Sequence, residues 1–73
     1  MKVKELKGDL VGVKIKIPKK YQDRYMKIKK EMYLFSWWGK GVWLKNSMKE
    51  NQVYPLVFNT NNKELLEFTV IKG

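Results

Sequence analysis

The clearest pattern in the chain is a strict alternation of apolar and polar residues over residues 11–17, Val-Gly-Val-Lys-Ile-Lys-Ile. Because strand side chains alternate between two faces, this pattern predicts a half-buried strand with its valines and isoleucines inward and its lysines outward. Pro18 has no amide hydrogen to donate to a neighbouring strand, so the strand is expected to end before it.

The apolar residues that follow have a helical spacing. They recur at intervals of four, three and four residues: Tyr21, Tyr25, Ile28 and Met32. This spacing places them on one face of a helix, and proline is well suited to a first helical turn. The pattern predicts a short amphipathic helix within residues 19–32. The alternative is a long irregular loop, which would make the protein a small all-β barrel.

Strand and turn signals fill the rest of the chain. Residues 33–38 and 42–46 flank the sequence Gly-Lys-Gly, which predicts a β-hairpin. Residues 53–58 predict a further strand, which Pro55 restricts to a sheet edge or a bulge. An asparagine-rich turn at residues 59–62 leads to a last predicted strand, residues 65–71, in which Leu66, Phe68 and Val70 share one face.

The predicted order is a strand, a helix and four strands, in a single domain of 73 residues. A short antiparallel sheet in such a small chain is expected to curl strongly around one core. We therefore expect an α+β fold: a half-open barrel of about five strands, SH3-like or OB-like, with one short helix after the first strand. No motif assigns the chain to a family.

The composition argues against catalysis. The chain has neither histidine nor cysteine, and its carboxylates show no metal-ligand spacing. We expect no enzymatic activity, no metal and no cofactor. The first residues lack the apolar run of a secretory signal, and the longest nearly apolar stretch, residues 32–38, is much shorter than the roughly 20 residues of a membrane span. We therefore expect no stable membrane insertion and a cytoplasmic location.

Positive charge is concentrated in the first part of the chain. The net charge is +9, of which residues 1–30 contribute +8 and the remaining residues +1. Such a surface attracts polyanions, and lysine contacts phosphate as a point charge without reading base edges. The candidate contacts to a nucleic-acid backbone are the central basic residues together with one lysine of the hairpin: Lys14, Lys16, Lys19, Lys20, Arg24, Lys27, Lys29, Lys30 and Lys45.

All three tryptophans lie in the predicted hairpin. Successive strand residues point to opposite faces, so Trp37 and Trp38 cannot share a face. A three-residue turn puts Trp37 on the side of Trp43 and Lys45, whereas a two-residue turn, Gly39-Lys40, puts Trp38 there. In either register one tryptophan lies opposite the aliphatic face. That second face is either covered by the predicted helix or open to bases, which stack on exposed aromatic rings.

Two function classes follow from these features. The first is a non-enzymatic module that binds DNA or RNA, preferably single-stranded, with little sequence specificity. The second is a protein interaction module, or a small regulator or inhibitor of the kind that viruses and mobile elements encode, which docks on an acidic protein. A homodimer that buries the tryptophans would remove the stacking surface. The stacking or interface candidates are the hairpin aromatics: Tyr33, Phe35, Trp37, Trp38 and Trp43.

Overall fold

The structure is a computed structural model, and it describes residues 1–71. Four strands form an antiparallel sheet and pair in sequence order: β1 (Lys14–Lys16), β2 (Glu31–Trp38), β3 (Gly41–Lys45) and β4 (Tyr54–Val57). One short α-helix, α1 (Lys19–Arg24), lies between β1 and β2 in the chain. Two 3-10 helices, Val3–Glu5 and Asn62–Glu67, lie near the two ends of the chain. The antiparallel sheet and the short helix after the first strand agree with the expected fold.

The core lies on one side of the sheet. It contains inward residues of the strands together with residues of the helical segments and of the adjoining connections: Val3, Ile15, Ile17, Tyr21, Ile28, Met32, Leu34, Val42, Leu44, Leu56, Phe58, Leu65 and Phe68. The Tyr21 ring of α1 packs edge-on against Phe58, with ring centroids 5.8 Å apart, and Phe58 packs edge-on against Phe68 at 5.7 Å. Both α1 and the second 3-10 helix therefore pack on the core side.

Residues 69–71 lie along the edge of β1 that faces away from β2. An isolated bridge joins Ile15 to Val70, and the Lys16 amide donates to the Thr69 carbonyl at 2.9 Å. A second bridge joins Lys2 to Thr69. The four named strands form an open sheet with the order β1-β2-β3-β4. Isolated bridges extend this sheet beyond its β1 edge.

The first strand is shorter than the alternation predicts. Val11, expected inward, is 44% exposed, so this prediction is wrong. The Val11 amide donates to the Asp9 carboxylate at 2.9 Å, and Gly12 has a φ of 90°, in the left-handed region that favours glycine. A turn therefore occupies the start of the predicted strand. Ile15 and Ile17 are buried as expected.

The predicted helix is too long, although its apolar positions are correctly placed. Helix α1 ends at Arg24, and Met32 belongs to β2. Tyr21, Ile28 and Met32 are nevertheless buried. The Ile17 amide donates to the Lys30 carbonyl at 2.8 Å, so pairing with β1 takes the end of this segment out of the helix.

The prediction of a strand over residues 65–71 is also wrong for its first half. Residues 62–67 form a 3-10 helix, in which the Asn61 side chain accepts the Lys63 amide at 2.8 Å. Because a 3-10 helix has three residues per turn, Leu65 and Phe68 lie on the same buried side and Leu66 is exposed.

Candidate functional site

The hairpin between β2 and β3 has a two-residue turn, Gly39-Lys40. Trp38 pairs with Gly41, Trp37 with Val42 and Ser36 with Trp43. The register with the two-residue turn is therefore confirmed, and the register with the three-residue turn is wrong.

A β-bulge interrupts this pairing between Leu34 and Ser36. Leu34 pairs with Leu44, so Phe35 is the extra residue on β2. The bulge changes which side chains share a face. It allows Leu34 to enter the core, and it leaves Trp37 beside Val42 on the core side of the sheet.

The outer side of the sheet, opposite the core, presents an aromatic surface. We call it the aromatic face, and its residues are Tyr33, Phe35, Trp38 and Trp43. The rings of Trp38 and Trp43 pack together with centroids 5.0 Å apart and planes inclined by 36°. Both are half-buried, whereas Phe35 is exposed. Two residues of β4 that the sequence reasoning missed border this face: Pro55, which pairs with Trp43, and Val57, which pairs with Gly41. The alternation of side chains along β4 is the sequence signal that places Pro55 and Val57 on the same side of the sheet.

Two lysines contact the rings of the aromatic face. The Lys14 ammonium lies 5.6 Å from the Tyr33 ring centroid and 3.3 Å from a Glu31 carboxylate oxygen. The Lys45 ammonium lies 4.2 Å from the Phe35 centroid, in cation–π range. Lys45 is only 8% exposed, so little of its side chain is available to a phosphate.

Helix α1 does not cover the tryptophans. Its buried tyrosine, Tyr21, packs against Phe58 and Phe68 on the core side of the sheet. The alternative in which the predicted helix buries the second face is therefore wrong.

Trp37 is separate from the other two tryptophans. It is 45% exposed and lines a shallow cavity of about 230 Å³ with Leu10, Leu65 and Leu66, next to Lys63. The aromatic candidates thus divide into four on the aromatic face and one on the core side.

Three of the candidate lysines meet in a cleft of about 590 Å³ between β1 and the start of α1. We call this the basic cleft: its lysines are Lys16, Lys19 and Lys30, and its carboxylates are Asp23 and Glu67. Glu67 forms an ion pair with Lys4 at 3.0 Å, and this contact lowers the pKa of its carboxyl.

The remaining basic candidates lie elsewhere. The Lys20 ammonium lies 4.9 Å from the Tyr21 ring centroid, and Arg24 donates to the Asn59 side chain at 3.3 Å. Lys27 and Lys29 are exposed in the connection between α1 and β2.

Among residues 1–71, no cluster of histidine, cysteine, aspartate or glutamate side chains is suited to hold a metal ion. None of the helices in that range is long and apolar enough to cross a membrane. No protein-family model, curated protein or solved structure matches the chain. The aromatic face and its neighbouring lysines are therefore the features of the protein that bear on its function.

Proposed function

We propose that the protein is a small non-enzymatic module that binds single-stranded nucleic acid on its aromatic face. The observation that supports this most directly is the Trp38–Trp43 pair on the side of the sheet opposite the core. Unpaired bases stack on such rings, and each stacked base contributes about 1–3 kcal/mol whatever its identity. The bases of a duplex are already stacked on each other, so a single strand is the favoured ligand.

The charge of the chain supports the same ligand. A net charge of +9 attracts the phosphate backbone, and 15 of the 16 basic residues are lysines, which bind phosphate without reading sequence. We therefore propose weak sequence preference and an affinity that falls steeply with salt, with DNA or RNA as the ligand. We also propose a cytoplasmic location.

The proposed architecture for this module is the half-open barrel of the SH3-like or OB-like kind. The support is the attachment of residues 69–71 to β1, which adds a short fifth extended segment beside the four named strands.

A second candidate function is docking on an acidic protein. The observation that favours it is the exposure of Trp37 and Leu66 around a small cavity with Lys63 at its side. Exposed tryptophans are frequent hot spots of protein interfaces.

A fluorescence titration tests the proposed function. The Trp37→Phe variant removes the tryptophan outside the aromatic face, so its emission reports on Trp38 and Trp43 alone. We expect saturable quenching by oligo-dT at low salt, loss of quenching as salt rises, and weaker quenching by a duplex of equal length. No quenching by oligo-dT at low salt would contradict the proposal and favour the protein-docking function.

A further inference from the structure

The basic cleft adjoins one end of the aromatic face. Lys14 pairs with Tyr33 and Lys16 with Glu31, so the outward lysines of β1 lie directly beside β2. Trp38 and Glu31 are at opposite ends of β2, about 20 Å apart at the usual rise of a strand. The tryptophan pair therefore lies at one end of this strand and the cleft at the other.

The two flanks of the aromatic face differ in charge. On the β1 side are Lys14, which is ion-paired with Glu31, and the lysines of the basic cleft, which supply most of the positive charge of this flank. On the β4 side is the sequence Tyr-Pro-Leu-Val, which has no charged residue. A phosphate backbone is attracted to the first flank, whereas the second flank offers only apolar surface.

The carboxylates of the cleft do not cancel its lysines. Glu67 is paired with Lys4, which lies outside the cleft lining. Asp23 is exposed and forms no ion pair within the described part of the chain. Three lysines thus face one unpaired carboxylate, and Asp23 is expected to oppose a bound phosphate.

We infer that the backbone of a bound single strand crosses β1 and enters the basic cleft, while its bases lie over β2 and β3. This inference rests on the proposed function and adds a path to it. Phosphates contact Lys16, Lys19 and Lys30, and stacking takes place at Trp38 and Trp43. The backbone of the bound strand therefore lies on the β1 side of its bases.

Two triple variants test the path, since each removes three positive charges from exposed side chains. The cleft variant is Lys16→Ala, Lys19→Ala, Lys30→Ala, and the matched control is Lys7→Ala, Lys49→Ala, Lys63→Ala. Affinity for labelled oligo-dT is measured by anisotropy over a range of salt concentrations. Three lost phosphate contacts reduce the slope of log K against log salt by about 2 in the cleft variant, and the control slope stays near that of the unsubstituted protein.

A single substitution is expected to change the affinity for oligo-dT in the opposite direction, and it does not require the loss of three side chains. Asp23→Asn removes the carboxylate that opposes phosphate, so it is expected to tighten binding more than Glu50→Gln, which removes an equal charge from an exposed loop. Equal effects of the two triple variants, or of the two acidic variants, would overturn the path and leave the proposed function standing. If the unsubstituted protein neither binds oligo-dT nor shows tryptophan quenching, the proposed function fails, and the path fails with it.

Discussion

The indole of Trp38 lies against Gly41, its partner across the hairpin. A Cβ atom on Gly41 would lie 2.6 Å from the ring carbons Cζ2 and Cη2 of Trp38, and it would also collide with the Leu56 carbonyl oxygen. Only glycine therefore allows the Trp38 ring to occupy this position beside Trp43 while β4 pairs on the other edge of β3. The glycine that the sequence presents as part of a turn is a buried strand residue that determines the position of this ring.

We expect Gly41→Ala to destabilise the protein, because either the indole or the β4 backbone must shift. Overpacking of this kind costs about 1–3 kcal/mol, measured as the free energy of unfolding in urea. The matched control is Gly39→Ala, two residues away, where a Cβ meets nothing within 4 Å and φ is not positive. A stability loss that is the same in both variants would show that the Trp38 contact is not the cause.

The two sides of the sheet predict different effects of tryptophan substitutions on binding. Trp43→Leu removes a ring of the aromatic face, so affinity for oligo-dT is expected to fall by about 1–3 kcal/mol. Trp37→Leu is the control, since Trp37 lies on the core side. Anisotropy titrations at one salt concentration provide the comparison. If the two variants lose equal affinity, the aromatic face is not the stacking surface.

The sequence was sufficient to predict that a tryptophan faces away from the core, but not which one. The short turn is compatible with two registers, and in either one the alternation of strand side chains predicts that Phe35 shares a side with Trp37. The bulge at Phe35 separates them. With the two-residue turn, Leu34 and Leu44 both reach the core only if β2 contains one extra residue, and this requirement comes from the fit between strands. The alternation of apolar and polar residues along a single strand does not reveal this extra residue.

The segment between β1 and β2 shows a different limit of sequence reasoning. The spacing of Tyr21, Ile28 and Met32 correctly identified residues that are buried, yet the helix ends at Arg24. Hydrogen bonding at the end of β1, where the Ile17 amide donates to the Lys30 carbonyl, competes with helical hydrogen bonds, and these partners lie outside the periodic pattern itself. In the same way, the count of lysines indicated a basic surface but did not indicate that Lys16, Lys19 and Lys30 meet in one cleft.

Tyr21 links the stability of the fold to pH. Burial, together with a 2.8 Å hydrogen bond from its hydroxyl to the Glu64 carboxylate, raises the pKa of Tyr21 from 10.0 to about 12. In the unfolded chain this tyrosine ionises near pH 10, so the folded state holds its proton to a higher pH. Its contribution to the free energy of unfolding is complete below pH 10 and is lost as the pH rises from 10 to about 12. The loss amounts to roughly 2–3 kcal/mol at most.

We therefore expect the free energy of unfolding to fall more steeply over this pH range in the unsubstituted protein than in Tyr21→Phe. The difference in the free energy of unfolding between the two proteins at each pH is the quantity to measure, because it isolates the contribution of Tyr21. At neutral pH, Tyr21→Phe is expected to cost about 1.5–3 kcal/mol through loss of the hydrogen bond to the charged Glu64 carboxylate. Parallel curves for the two proteins above pH 10 would contradict the assignment to Tyr21.

The free edge of β4 is protected by one side chain from another part of the chain. The Tyr25 hydroxyl accepts the Val57 amide at 3.3 Å and donates to the Val57 carbonyl at 3.4 Å. Pro55, two residues earlier, has no amide hydrogen to offer. Unprotected strand edges promote pairing with a second copy of the protein. Tyr25 and Pro55 together leave few backbone groups of β4 free for such pairing.

We expect Tyr25→Phe to lower the free energy of unfolding by about 0.5–1.5 kcal/mol and to increase self-association, because the Val57 amide and carbonyl lose their partner. Sedimentation velocity at increasing protein concentration measures the second effect. Tyr54→Phe is the control: it lies on the same strand, and its hydroxyl makes no hydrogen bond within residues 1–71. Equal self-association of the two variants would mean that the Tyr25 hydroxyl does not protect this edge. Pro55 would then be the residue to replace next, since Pro55→Val restores a donor at the same edge.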